Sequence, residues 1–298
     1  MFDQLPPLRF KSGVELHNFP TLPADVPSKK SLKEGLSQVR VRLSEFQERL
    51  YAHKRHSVLI CLQGMDTSGK DSLVREVFKD FNSRGVVVHS FGKPSTKEYK
   101  HDFLWRHYIA LPERGKFAVF NRSHYENVLI SRVHPKLILN ENLPKIKAVE
   151  DIPEDFWQQR FEQIRNFEQH ITQNGVLLFK FFLHISKEEQ RERLIRRLNR
   201  PEKLWKFDPS DISERQHWDA YQDYNQEMLQ ETHSKTAPWY VIPSDSKHVA
   251  RLLVAQILDQ VLSSHTHIQA PPWDAVTQGN IEEALAALGA SKKAKGRD

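Results

Sequence analysis

The sequence has a single cysteine, Cys61, set in an apolar run. One cysteine forms no internal disulfide, which excludes a disulfide-stapled scaffold and makes the cytosol the expected setting. No apolar run approaches the roughly 20 residues that a membrane-spanning helix needs. The opening residues, "MFDQLPPLRFKSG", lack the basic-then-apolar layout of a signal peptide. GxSxG, HExxH and CxxC are all missing, so nucleophile-elbow, zinc-protease and dithiol chemistries have no carrier here. The 15 histidines show no ligand spacing in a credible context. Internal repeats are also lacking.

What is present is a chain of 298 residues, 39% hydrophobic and 28% charged. That length suits one large domain or two small ones with a polar surface. The net charge is +6, which fits an anionic partner without naming one. The charge is unevenly spread. Residues 191–206, "RERLIRRLNRPEKLWK", hold seven basic and two acidic residues.

Residues 1–29 contain prolines and no periodicity, and read as an arm over the body or partly free. Leu32, Leu36, Val39, Leu43, Phe46 and Leu50 then recur at steps of four and three, one apolar helix stripe. It packs on the body or on another subunit, and a homo-oligomer is expected. Five short apolar runs follow: 57–63, 85–91, 116–120, 176–185 and 238–243. Helical patterns separate them at 69–82, 97–110, 122–132, about 153–174, 187–198, 213–232 and 246–263. Strands alternating with helices predict an α/β fold, a parallel sheet covered on both faces. "NIEEALAALGA" predicts a last short helix, and the end, "SKKAKGRD", a disordered tail.

Between the first run and its helix lies "QGMDTSGKDS", residues 63–72. The spacing Gly64-x4-Gly69-Lys70 is that of a phosphate-binding Walker A loop. Such a turn aims backbone N–H groups at one point, the helix N-terminus adds partial positive charge, and Lys70 adds a full one. Two acids sit against type. Asp71 replaces the Ser or Thr that ordinarily holds magnesium, and Asp66 stands inside the loop. A carboxylate about 5 Å from a phosphate charge costs about 3 kcal/mol at an effective dielectric near 20. A metal ion between them reverses the sign. Magnesium prefers carboxylate, water and phosphate oxygens, so Asp66 is the expected metal ligand, directly or through water. Asp71, in a helix's first turn, suits the dipole and reads as structural. The third run ends in Asn121 where an ordinary P-loop NTPase has an Asp. Glu126 is either an acid supporting the metal site through water or an exposed helix residue.

"GMDTSGKDS", "HDFLWR" (101–106), "FNRSHYENV" (120–128), "RPEKLWKF" (200–207) and "APWYVIPSDSK" (237–247) occur in that order. Together they resemble the polyphosphate kinase 2 family, over about residues 57–260. The resemblance implies a P-loop kinase fold like that of thymidylate kinase: three layers, a five-stranded parallel sheet and a helical basic lid. It implies a donor, inorganic polyphosphate, and magnesium, with manganese as a possible substitute. The "HDFLWR" and "FNRSHYE" forms are similar to the class accepting both nucleoside mono- and diphosphates.

On this resemblance, residues 1–54 form an arm and amphipathic helix, 55–264 the kinase domain with a lid at about 190–212, and 265–298 a tail. Met65, Thr67, Ser68, Gly69, Lys70 and Asp71 line the reacting phosphates, with Asp66 on the metal. Asp66, Lys70 and Arg122 form the catalytic set, Arg122 gripping the acceptor's phosphate. Asp102, Arg106, Asn121, Glu126 and Arg132 complete the nucleotide side, Asp102 touching the nucleotide or orienting Arg106. Arg193, Arg196, Arg197, Arg200, Lys203 and Lys206 of the lid follow the polyphosphate, with binding that weakens in salt. Phe103, Trp105, Trp239 and Tyr240 read as packing residues. The expected reaction is reversible transfer of the terminal phosphoryl group of polyphosphate to AMP or ADP. The attacking oxygen is already anionic, so positioning and charge neutralisation suffice. Neither nucleic acid nor membrane is expected as a partner. The rivals are an ATP-dependent nucleoside monophosphate kinase, which needs fewer cations, and a nucleic-acid-binding P-loop NTPase. For the latter, Trp205 alone among the cations is a thin stacking platform.

Overall fold

The computed structural model describes residues 8–206, 208–272 and 274–289, and the backbone only at Lys203, Lys206 and Ala275. The expectations for residues 1–7, for the Lys203 and Lys206 side chains and for the tail from 290 fall outside the described residues.

Five strands, β1 (Ser57–Gln63), β2 (Val86–Ser90), β3 (Phe117–Asn121), β4 (Val176–His184) and β5 (Trp239–Pro243), form one parallel sheet in the order β2-β3-β1-β4-β5. The helices are α1 (Lys29–His53), α2 (Lys70–Val77), α3 (Trp105–Tyr108), α4 (Ile130–Val133), α5 (Phe156–Gln173), α6 (Lys187–Leu198), α7 (Ser210–Gln216), α8 (Trp218–Thr232), α9 (Lys247–Ser263) and α10 (Ala275–Ala287).

β1 is buried along its whole length, so alternate residues serve opposite layers. Val58, Ile60 and Leu62 join the core under α1, α2 and α9. Leu59 and Cys61 join the core under α5 and α8. Burial pushes the Cys61 thiol far above its ordinary pKa, so it packs as a small apolar residue.

Ser28 caps α1 by accepting the Ser31 N–H at 3.2 Å, and Lys54 closes it in the left-handed region. Its six stripe residues are all buried in the core shared with α9. The stripe is therefore spent within the chain and supplies no surface for another subunit. The arm is used similarly. Phe10 N–H donates to Trp239 O at 2.9 Å, and Leu8 O accepts from Val241 N–H at 2.8 Å, so residues 8–10 border β5.

Four predicted helices are shorter or broken, the 69–82 pattern ending already at Val77 as α2. The 97–110 pattern yields a 3-10 turn, Glu98–Lys100, and the single turn α3. Asp102 interrupts it, because its carboxylate accepts the Leu104 N–H at 2.9 Å. The 122–132 pattern becomes a 3-10 segment, His124–Val128, followed by α4. The 213–232 pattern splits at His217 into α7 and α8.

β1 lies between β3 and β4, and the crossover leaving β1 runs to β2 on one side while the one leaving its neighbour β4 runs to β5 on the other. That reversal opens a crevice at the carboxyl ends of the strands, and the Gly64–Gly69 loop sits there.

Candidate active site

The loop leaves β1 at Gly64, whose φ is +141°. A Cβ there meets Leu183 O at 2.6 Å, so no other residue fits without moving β4. Gly69 caps α2 at φ +112°. Thr67 holds the left-handed region at φ +63° without a glycine's freedom, as does Arg122 at +59°. The loop's floor is apolar: Met65 packs with Ile185, Trp218 and Tyr221.

Lys70 is buried, and its Nζ donates to Gly64 O at 2.6 Å and Met65 O at 3.3 Å. Burial and then the Arg122 charge push its pKa down, against the pull of Asp66, Glu126 and Asp71. Five charged groups thus share this space. Arg122 Nη2 donates to Asp66 Oδ1 at 2.6 Å. Burial works against the Arg122 charge, but Glu126 and Asp66 outweigh it and its pKa rises. Glu126 is pushed up by burial and held back by Arg122 and Lys70. Gln63 donates to Glu126 Oε1 at 2.9 Å while its oxygen meets the Ser123 hydroxyl at 3.0 Å.

Two of the residues that depart from ordinary P-loops, Asp71 and Asn121, meet each other. Asn121 Nδ2 donates to Asp71 Oδ1 at 2.7 Å. The usual pairing of a hydroxyl and a carboxylate is replaced by one of a carboxylate and an amide. Asn121 Oδ1 is buried without a partner, and so are the Thr67 and Ser68 hydroxyls.

The predicted residues do not all converge. Asp66, Lys70, Asp71, Asn121, Arg122 and Glu126 form one cluster. Arg132 lies elsewhere, ion-paired with Glu227 and 4.2 Å over the Tyr224 ring. Arg106 pairs with Glu98 at 3.2 Å and covers Phe91, while Asp102 is spent on its own turn. Phe103 packs against the core, but Trp105 stacks on His101 at 4.0 Å outside it. Trp239 is fully buried and Tyr240 half-buried.

In the lid region, Arg193 is buried beneath the loop and bonded to its carbonyls. Arg196 is exposed and pairs with Glu189 and Glu192. Arg197 reaches Asp211 at 2.6 Å, which fastens α7 to α6, and Arg200 is exposed. Gln63, Gln190 and Asp211 were not anticipated from the sequence. Gln190 alone left a signal, lying three residues before Arg193 on one helix face.

Below the cluster, Lys180 is fully buried in β4, donating to Glu168 Oε2 at 2.8 Å and Thr232 O at 2.5 Å. Tyr125 and His124 reach the same carboxylate. This buried network fixes the start of the segment that carries Glu126.

A glycine-rich loop between the central strand and a helix, with a buried lysine and an arginine facing it across the crevice, defines a P-loop phosphotransferase. The model of the polyphosphate kinase 2 family matches residues 27–270. The chain belongs to that family. It is 46% identical over 252 residues to an ADP-polyphosphate phosphotransferase of Rhodopseudomonas palustris, covering 84% of this chain and 86% of that one. It is 43% identical over 234 residues to an AMP/ADP-polyphosphate phosphotransferase of Meiothermus ruber, covering 78% and 82%. Among solved structures, polyphosphate kinase 2 from Arthrobacter aurescens TC1 superimposes with a TM-score of 0.83 at 34% identity, covering 94% of this chain and 95% of that one.

Proposed function

We propose that this chain transfers the terminal phosphoryl group of inorganic polyphosphate to AMP or ADP, giving ADP or ATP. The observation that carries the reading is the grouping of Lys70, Arg122 and the loop's backbone around one crevice, with Asp66 at its mouth. The names of the relatives from Rhodopseudomonas palustris and Meiothermus ruber supply the donor and acceptor.

An anionic phosphate oxygen of the acceptor attacks the terminal phosphorus, and the shortened polyphosphate leaves. No strong base is needed. Lys70 leaves its two loop carbonyls to meet phosphate oxygens, and Arg122 exchanges Asp66 for the acceptor's phosphate. Both bonds exchanged are phosphoanhydrides, so the transfer runs in either direction.

The donor atoms fit a hard cation such as Mg2+: the Asp66 carboxylate, and the Asn121, Thr67 and Ser68 oxygens that are buried without partners. Among the described residues no three His, Cys, Asp or Glu side chains group to hold a metal alone. A cation shared with phosphate oxygens is what these donors suit. A cation held there by Asp66 would supply positive charge that offsets the negative charge of the phosphates. Manganese satisfies the same oxygens.

Among the described residues no helix is long and apolar enough to cross a membrane. We place the enzyme in the cytoplasm, with polyphosphate and nucleotides rather than nucleic acid as partners, and leave the subunit interface to surfaces other than the α1 stripe.

The test is formation of ATP from ADP and of ADP from AMP, with long-chain polyphosphate and Mg2+ as the only additions. Product with either acceptor supports the reading. No product with polyphosphate, together with phosphorylation of a monophosphate by ATP, replaces it with an ordinary nucleotide kinase.

A further inference from the structure

Arg193 has five N–H donors, and five acceptors take them. Nε donates to Glu189 Oε1 at 2.7 Å. Nη1 donates to Thr67 O at 3.0 Å and Ser68 O at 2.8 Å. Nη2 donates to Ser244 O at 2.6 Å and Asp245 O at 3.0 Å. No N–H is left over for a phosphate. One helical turn earlier, Gln190 Nε2 donates to Asp66 O at 3.3 Å. Its other end is held, because Gln190 Oε1 accepts from Arg215 Nη1 of α7 at 2.6 Å. One face of α6 therefore grips three successive loop carbonyls, those of Asp66, Thr67 and Ser68.

A trans peptide is planar, with C=O and the following N–H pointing in opposite directions. Holding a carbonyl outward on α6 turns the next N–H the other way. The Ser68 N–H so turned donates to Met65 O at 3.1 Å, which closes the loop's inner turn. The Gly69 N–H is turned to the side opposite Arg193. An ungripped carbonyl is free to swing inward and present partial negative charge to an incoming phosphate. The grip also joins the loop to the Ser244–Asp245 turn after β5, so loop, β5 turn and α6 move as one unit.

We infer that Gln190 and Arg193 are positioning residues, which orient the phosphate-binding loop for its anion by holding its carbonyls outward. Arg193 acts through the loop and not on the substrate itself. This rests on the reading that the loop receives polyphosphate.

The test uses the full chain with Arg193→Lys and Gln190→Leu. Inorganic tripolyphosphate serves as a short probe of the loop, with binding measured by calorimetry and turnover measured with ADP and long-chain polyphosphate. Arg193→Lys keeps the charge but offers only three donors. It should bind tripolyphosphate about 10-fold more weakly and lose about 100-fold in kcat, while KM for ADP moves less than about 2-fold. Gln190→Leu should lose about 3-fold to 10-fold in tripolyphosphate affinity, again sparing KM for ADP. Normal tripolyphosphate affinity in the folded fraction of both variants, whatever their melting temperatures, overturns the inference, because Arg193 is then only a fold stabiliser or a bulk charge. Should Arg193→Lys fail to fold, Gln190→Leu decides alone. A wild-type chain that binds no tripolyphosphate sinks the functional reading itself, an outcome distinct from normal binding in the variants.

Discussion

Changing Asp66 to Asn removes one charge and almost no volume, and two accounts of that charge predict opposite signs. As placed, Asp66 accepts a hydrogen bond from Arg122 at 2.6 Å, with the two side chains 30% and 44% exposed. A pair so open to solvent contributes about 0–1 kcal/mol to folding. For a chain of this size that shifts Tm by no more than about 4 °C. If the Asp66 charge matters only through Arg122, the Asn variant frees the guanidinium and lifts a repulsion. At about 5 Å and an effective dielectric of about 20, that repulsion is worth about 3 kcal/mol, so phosphate binding and turnover should improve. If Asp66 instead holds a cation between itself and the phosphates, the same energy enters with the other sign. The variant then loses about 100-fold in kcat/KM, and the Mg2+ concentration for half-maximal rate rises. The assay is ATP formation from ADP and polyphosphate across a Mg2+ titration, with a melting curve as the control for folding. Turnover within about 3-fold of wild type at unchanged Mg2+ dependence refutes the metal-bridging argument.

Other expectations concern the scaffold. Lys180→Met leaves the Glu168 carboxylate buried with its cation gone, and should cost about 3–5 kcal/mol in a denaturant melt. Adding Glu168→Gln should recover part of that loss, and a double variant no more stable than Lys180→Met counts against the pair. His184 is buried at the end of β4, and burial holds its pKa down at about 4 from 6.5. The folded chain therefore binds fewer protons than the unfolded one between those values. Stability contributed by neutral His184 is fully present above about pH 6.5 and is lost as pH falls towards 4, up to about 3 kcal/mol. His184→Gln should flatten the stability slope in that window by about one proton, and an unchanged slope rules His184 out. Leu43 is 1% exposed in the core beneath α1. Leu43→Ala should cost about 2–5 kcal/mol and leave the sedimentation coefficient of the folded protein unchanged. A change of oligomeric state would place the stripe in an interface after all.

Much of the fold was readable because it is written in local patterns. Each of the five strands begins and ends within two residues of an apolar run visible in the sequence. Their parallel order follows from the alternation with helices. The 97–110 helix was over-read for a local reason: the Asp102 carboxylate, two residues before Leu104, takes the N–H that a continuing helix needs. The α1 stripe was legible as a stripe, but spacing alone carries no information on what covers it. Contact with α9, some 200 residues further on, decided that.

Residue types and spacing determined by themselves the strand–loop–helix frame with its phosphate-loop spacing, the acid set inside that loop, and the family the chain joins. Those properties depend on short-range geometry and on charge that a row of residues states openly. The tertiary structure alone decided how the charges are spent. Asp66 meets Arg122 and Asp71 meets Asn121 only because β1 and β3 are neighbours with their carboxyl ends at one level. Arg193 looks like another lid cation in sequence, yet folding turns it under the loop and surrounds it with five acceptors. A guanidinium's role is set by the acceptors within about 3 Å of it. Here those come from the β1 loop and the turn after β5 as well as from its own helix.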